Sequence, residues 1–372
     1  MPPTLSSRAL NRALLARQHL IERAQMPPAA MIEHLVGMQA QVPANPYVAL
    51  WSRLRDFAPG ELEGLIAGRQ AVRMPLIRTT LHLVTSRDAL ALRPIFGPVL
   101  ARGFQSGSPF GRRLAGIDLD AVLAAGRGLL EDGPLSASEL AAALGPRWPD
   151  RDAMSLAMAV RYLLPVIQPP PRGLWTRSGR STWTTLEHWL GEPLDDAPDI
   201  DRVVLRYLAA FGPASVADVR TWSWLTGLRE IVERLRPRFA TFTDGAGREL
   251  FDLPDAPRPD PDTPVPPRFM PEYDNLMLSH ADRGRVIPNS AHGRITGYVG
   301  TFLVDGFVSG QWRVAAERGS ATLILDPFAA LAGPNRDEVR AEGERLLEFA
   351  APTATERRIE LGAAWPRPRR GA

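Results

Sequence analysis

A mainly helical α+β fold is what the sequence predicts. It consists of repeated units of three helices and a hairpin, followed by a C-terminal β-barrel or antiparallel sheet. Three observations lead there. One pattern, three amphipathic segments and then an alternating one, starts at Leu119 and again at Asp199, a spacing of about 80 residues. A proline-rich acidic stretch, LPDAPRPDPDTPVPP, interrupts the chain between Asp252 and Pro267. Beyond it, glycine-punctuated runs of β-branched and aromatic residues replace the helical period.

Taken in order, LSSRALNRALLARQHLIERA predicts a long first helix, MPPAAMIEHLVG a second and NPYVALWSRLRDF a third. VRMPLIRTTLHLVTSRDAL then reads as a hairpin. Its Ile77, Thr79, Leu81 and Leu83 would share one face, and Arg78, Thr80 and His82 the other. In the clearest copy, LDAVLAAGRGLLEDG ends at Gly133. PLSASELAAALG follows, capped by Ser136 or Ser138, and DRDAMSLAMAVRYLLPVIQ is capped by Asp150 or Asp152. GLWTRSGRSTWTTL alternates around Ser178-Gly179 as a hairpin. The next copy has helices DIDRVVLRYLAAFG, SVADVRTWSWLTG and Leu228–Leu235, with RFATFTDGAGRELFDL turning at Asp244-Gly245. Helix, helix, helix, hairpin is the order of a winged helix, a helix-turn-helix variant. After the linker, GYVGTFLVDGFVSGQWRV and SATLILDPF predict antiparallel strands, in a small barrel or sheet. NRDEVRAEGERLLEFA is a late helix capped by Asn335, and PRPRRGA is a frayed basic tail able to touch phosphate. These breaks divide the chain at 1–115, 116–194, 195–256 and 257–372.

Composition excludes several chemistries. The 372 residues contain no cysteine, which removes disulfides, a thiolate nucleophile, thiolate-bound zinc and iron–sulfur clusters. All 44 basic residues are arginine, so no lysine can form a Schiff base and no Walker phosphate loop is possible. The 6 histidines are scattered without an HxxxH pair, and neither metal nor cofactor is expected. With no signal sequence and no run of roughly 20 apolar residues, the expected compartment is the cytoplasm. The net charge of +3 is uneven. Residues 1–190 carry 21 Arg against 14 acids (+7), 191–265 carry 9 against 14 (−5), and 266–372 carry 14 against 13 (+1). A basic first half is the footprint of a polyanion binder.

The segment LVGMQAQVPANPYVAL, Leu35–Leu50, holds two amides, Gln39 and Gln41. Gly37 can end a helix, and Pro43 biases Val42 away from the helical region. Gln39-Ala40-Gln41 is therefore expected to be extended, with both amides on one side. Each amide offers a carbonyl acceptor and two N–H donors. Together they could fix a water molecule, or they could satisfy backbone groups where helix gives way to strand.

Four stretches, GMQAQVPANPYVALWSRL, LIRTTLHLVTSRDA, PEYDNLMLSHADRGRVI and VDGFVSGQWRV, resemble the winged-helix DNA glycosylase family of AlkZ and YcaQ. The resemblance implies tandem winged helices packed with a β-barrel and shaped to embrace duplex DNA. It also implies excision of N7-alkylated purines and, in some members, unhooking of interstrand crosslinks. The family's glutamine–apolar–glutamine-or-aspartate motif maps onto Gln39, Ala40 and Gln41, similar to the Gln-x-Gln branch. An N7-alkylguanine already carries positive charge and leaves without a general acid. Neutral Gln39 and Gln41 would then suffice to place the water beside an oxocarbenium-like sugar.

Arg78, Thr80 and His82 are candidates to contact DNA from their shared face, unless that face is only solvated. Arg177 and Arg180 flank a wing turn and are candidates for phosphate contact. Asp274, His280, Asp282 and Arg283 read as a network holding the barrel to the first domain, with Arg283 also a DNA-contact candidate. Trp183, Trp189, Trp222 and Trp224 read as core or wing-packing residues, with base stacking as the minority alternative. A winged-helix regulator without catalysis, and a noncatalytic adduct binder, are the competing functions, because fold does not settle function.

Overall fold

In the computed structural model, residues 2–295, 299–331 and 333–362 are described. The basic tail PRPRRGA lies outside them. The chain is a mixed α+β fold, with three small three-stranded sheets and one five-stranded sheet set among its helices.

The first helix, Ser7–Arg17, is capped by Ser6 and is shorter than expected. His19 adopts φ 53 and turns the chain out of the helix. Helices Pro28–His34 and Asn45–Arg53 stand where the periodicity placed them. A further helix, Pro59–Ala67, was not foreseen. The hairpin pairs Ala71–Pro75 with Leu81–Thr85, and Met38–Gln39 adds a third strand beside Leu83–His82. Where SRDAL was expected to continue the hairpin, Thr85 instead caps a 20-residue helix, Ser86–Gln105. That helix carries Pro94 and Pro98 internally, and these breakers hid its period.

The second unit has helices Leu119–Asp132, Ala137–Leu144 and Ala153–Leu163, capped by Asp118, Ser136 and Asp152. A Cβ on Gly126 would lie 2.3 Å from Val160 Cγ2, so glycine lets the first and third helices touch. The expected hairpin about Ser178-Gly179 is corrected. Its strands are Val166–Ile167 and Thr182–Thr185, and Leu135–Ser136 pairs on the far side of the latter. Residues 168–181 form a long irregular excursion between them.

In the third unit, helices Ile200–Phe211, Val216–Ser223 and Leu228–Leu235 precede a hairpin of Ala240–Asp244 and Glu249–Asp252. Strand Thr4–Leu5, from the start of the chain, pairs in parallel with Thr243–Asp244. The proline-rich stretch lies against the first helix, where Arg12 Nε donates to Thr263 O at 2.7 Å.

The C-terminal sheet runs in the order Arg268–Met270, Gly300–Val304, Phe307–Glu317, Ser320–Pro327, Glu356–Leu361. It is open rather than a closed barrel, and its last pair is parallel. The late helix spans Gly333–Ala350, so Asn335 sits inside its first turn and is not a cap. One hydrophobic core crosses unit boundaries. Leu14, Met74, Phe96, Tyr207, Trp222, Met270 and Leu303 all belong to it. The second unit keeps its own core around Leu130, Leu156, Val160 and Trp183. The first, third and C-terminal parts thus share buried surface, to which Ile167 and Leu186 of the second unit also contribute.

Candidate functional site

Helix Pro28–His34 ends in two left-handed residues, Val36 (φ 55) and Gly37 (φ 92). A Cβ at Gly37 would meet Val84 Cγ1 at 2.6 Å, so this position needs glycine for space as well as for φ. The chain leaves the turn as a strand. Ala40 N donates to Leu81 O at 2.8 Å, and Arg73 Nη2 donates to Ala40 O at 2.7 Å. Met38 and Ala40 are buried in the core between the helices, so Gln39 and Gln41 share the other side, as the spacing implied. Ala40, with no exposed surface, is packing and leaves no room for a ligand.

The two amides are held differently. Gln39, 8% exposed, accepts a hydrogen bond on Oε1 from Arg78 Nη2 at 3.1 Å. Gln41 is exposed and accepts on Oε1 from Leu81 N at 3.2 Å. Guanidinium and backbone N–H groups only donate. Each amide is therefore oriented with its carbonyl oxygen inward, leaving its NH₂ group and one carbonyl lone pair for a ligand.

Arg78, Thr80 and His82 do not form the expected polar strand face. Residues Ile77–Thr79 make a tight turn in which Arg78 (φ 54) and Thr79 (φ 61) are left-handed. Arg78 consequently points inward. It donates to Gln39, to Asn275 Oδ1 at 3.0 Å and to Trp222 O at 2.6 Å, tying three parts of the chain together. Burial, with a smaller contribution from the nearby charge of Arg283, lowers its pKa to about 10, so it stays cationic at neutral pH. Thr80 is half-buried and donates to Ile77 O at 3.0 Å. His82 is fully buried opposite Gln39. Burial and the charge of Arg78 bring its pKa down to about 3, so it is neutral. Its Nδ1 meets Thr80 O at 3.0 Å, while Nε2 has no partner. Neither Arg78 nor His82 is placed to reach DNA directly.

Beneath Gln39, Arg53 and Asp274 form a buried two-pronged ion pair at 2.9 and 2.8 Å, with Gln18 Oε1 accepting from Arg53 at 2.9 Å. Asn275 Nδ2 donates to Gly37 O at 3.2 Å. A void of about 10 Å³, lined by Gln39, Arg53, Asp274 and Asn275 among others, lies there, at the lower limit for one water. On the other side of the Pro271–Met277 loop is a cavity of about 460 Å³, lined in part by Glu272, Tyr273, Met277, Arg283 and His292. Burial raises the Glu272 carboxyl above its usual range.

Asp274 joins the C-terminal part to the first domain, as expected. His280 and Asp282 instead face the third unit, through Phe211 O at 3.0 Å and Arg248 Nη2 at 2.8 Å. Arg283 is exposed at the cavity rim. Arg180 pairs with Glu139 at 2.6 Å on the second unit. Arg177 is exposed and makes no side-chain hydrogen bond or ion pair among the described residues. No hydrogen bond or ion pair joins either to the glutamine segment. Arg73, Asn275 and Arg53 were missed by the sequence reading. Arg53 stands within one of the quoted stretches and Asn275 within another, but nothing in a linear pattern marks a partner over 200 residues away. Among the described residues, no cluster of three metal-ligating side chains forms, and no helix is long and apolar enough to cross a membrane.

A family model described as "DNA glycosylase AlkZ-like" matches residues 32–349, most of the chain and the whole site. The chain belongs to the AlkZ-like DNA glycosylase family. That membership supports glycosylase activity and implies a DNA substrate. Among solved structures, Streptomyces sahachiroi DNA glycosylase AlkZ matches with a TM-score of 0.72 at 20% identity, covering 96% of this chain and 100% of that one. At that identity the likeness is one of fold, extending over 96% of the chain. Comparison with curated protein sequences finds no match.

Proposed function

We propose that this AlkZ-like protein is a monofunctional glycosylase that hydrolyses the N-glycosidic bond of N7-alkylated purines in duplex DNA, and that it unhooks interstrand crosslinks built on that bond. What carries the proposal is the orientation of Gln39 and Gln41 on one side of a strand, each with an N–H pair and a carbonyl lone pair unspent.

The chemistry balances without a charged protein group. A water accepts an N–H from one amide and donates to the carbonyl of the other, which leaves a lone pair to attack C1′. The C1′–N9 bond breaks, and its electrons cancel the positive charge of the alkylated purine. The surplus water proton passes to solvent, leaving a neutral base and an abasic sugar. Asp274, a buried carboxylate lining the same small void as Gln39, is engaged by Arg53. With no lysine in the chain, Schiff-base strand cleavage is not expected from a side chain. Arg283, Arg177 and Thr80 remain candidates for contact with DNA from the surface. Arg180 would first have to release Glu139.

The test is release of 7-methylguanine from methylated duplex, alongside unhooking of an N7-linked crosslink. Release by the wild type, falling at least about 100-fold in a Gln39→Ala, Gln41→Ala double variant, is the expected outcome. A double variant with full activity would sink the assignment of these residues. Wild-type protein that binds one intact sequence tightly and releases no base would point to a regulator. Tight binding of alkylated duplex without release would indicate sequestration.

A further inference from the structure

Trp224 departs from every packing expectation for the tryptophans. Trp183 and Trp222 are buried and Trp189 is partly covered by Arg69, but Trp224 is 49% exposed. It terminates helix Val216–Ser223 in the left-handed conformation, φ 58, ψ 15, which lifts its ring out of the helix track. Two ties lock the turn that carries it. Arg102 Nη2 donates to Trp224 O at 2.8 Å, and Arg78 Nη1 donates to Trp222 O at 2.6 Å. Arg78 is also the residue that holds Gln39. The same helix packs against the Ile77–Thr79 turn, and Thr79 in turn abuts Gly103, next to Arg102.

The aromatic ring therefore stands on a backbone turn that Arg78 ties to the glutamine segment's own scaffold. A second exposed apolar side chain, Val42 at 36% exposed, directly follows Gln41. Of the four large hydrophobic residues exposed among the described ones, Val42 adjoins the motif in sequence and Trp224 is tied to it through Arg78. Arg220, one turn before Trp224, is exposed and makes no ion pair among the described residues, and Arg229, just beyond Trp224, is exposed with its charge near Glu233. A flat apolar ring with exposed arginines on either side of it in sequence fits a nucleic-acid base carried between its phosphates.

We propose that Trp224 is a base-stacking residue that packs on the nucleobase next to the target nucleotide and holds open the gap left when that nucleotide leaves the stack. This rests on the glycosylase reading above and names a positioning residue for it. Extruding a nucleotide costs unstacking energy, and an aromatic ring on the exposed neighbour offsets part of it.

The experiment uses the full chain and a duplex containing a tetrahydrofuran abasic analogue with 2-aminopurine beside it, compared with an intact duplex. Wild-type protein is expected to prefer the abasic duplex and to change the 2-aminopurine emission. Trp224→Ala should lose roughly 5- to 150-fold in that affinity, the factor that ~1–3 kcal/mol of base stacking represents, and should lose the emission change. Trp224→Phe should keep most of both, which separates ring stacking from any effect on folding. If wild type discriminates but Trp224→Ala matches it within about twofold, the stacking role is overturned while the glycosylase reading stands. If wild type neither discriminates nor releases base, the glycosylase reading fails and takes this inference with it.

Discussion

Two segments were expected to be basic hairpins reaching for DNA, and the fold treats them oppositely. In Ala71–Thr85, the arginine at the tip turns inward and becomes the joint between three parts of the chain. In the excursion between Ile167 and Thr182, Arg177 stays in solvent and Arg180 takes a surface partner. The difference lies in the backbone. Two left-handed residues, Arg78 and Thr79, fold the first tip back onto the core, whereas the longer second loop leaves Arg177 and Arg180 outside. A cation is a scaffold where neutral acceptors surround it and a ligand where water does. Substitutions in the two places should thus separate stability from affinity.

The largest effect is expected beside the inward arginine. Arg53→Ala or Asp274→Ala strands a buried charge and should cost about 3–5 kcal/mol of stability, read as a shift in the denaturant midpoint. Replacing both residues should cost less than the sum of the two single changes.

Arg78→Met comes next. It leaves Gln39 Oε1, Asn275 Oδ1 and Trp222 O without their donor. Both amides can turn toward other donors, so the net cost should be roughly 1–3 kcal/mol, that of one acceptor left dry. Base release should fall toward that of Gln39→Ala. An Arg78→Met protein with wild-type melting and wild-type release would dissolve the contrast between the two segments.

A pH titration sharpens it further. The folded-state pKa of His82 is lowered to about 3, against about 6.5 in an unfolded chain. Between these values the unfolded chain binds a proton that the native state refuses, so stability falls as pH drops below about 6.5. The loss should reach about 2–3 kcal/mol for this residue by pH 4.5. His82→Asn should flatten that part of the melting profile.

The smallest effects belong to the outer loop. Arg180→Ala should change stability by less than about 1 kcal/mol, because its pair with Glu139 is exposed. Arg177→Ala should leave melting unchanged and, if the loop touches phosphate, lower the salt dependence of DNA binding by about one counterion.

Much of the helical skeleton was legible because local chemistry announces it. Ser136, Asp152 and Gly133 mark ends that tertiary packing did not move. The extended Gln39-Ala40-Gln41 segment was legible too, since Gly37 and Pro43 constrain it from both sides. The turn at Arg78 was not. Ile77, Thr79, Leu81 and Leu83 alternate as a strand would, and only burial against Trp222 and Asn275 selects the left-handed bend. Helix Ser86–Gln105 was masked by its two prolines. The strand before the second loop was misplaced, because Val166-Ile167 reads as the tail of the preceding helix. The ion pair of Arg53 with Asp274 spans 221 residues, beyond the reach of any local pattern.

That separation bears on how the protein is made. As the chain leaves the ribosome, Gln39 can meet Arg78 early, but Arg78 must wait nearly 200 more residues for Asn275. Strand Thr4–Leu5 waits still longer than Gln39 does, until Thr243 and Asp244 have emerged. The first part of the chain is thus synthesised with its principal charges unpaired, and Arg78, which orients Gln39, is fully held only when the last third of the polypeptide arrives. Release of a prematurely terminated chain should therefore yield a fragment that carries the glutamine motif in its sequence but cannot hold it in working geometry, a built-in delay between synthesis of the motif and its competence.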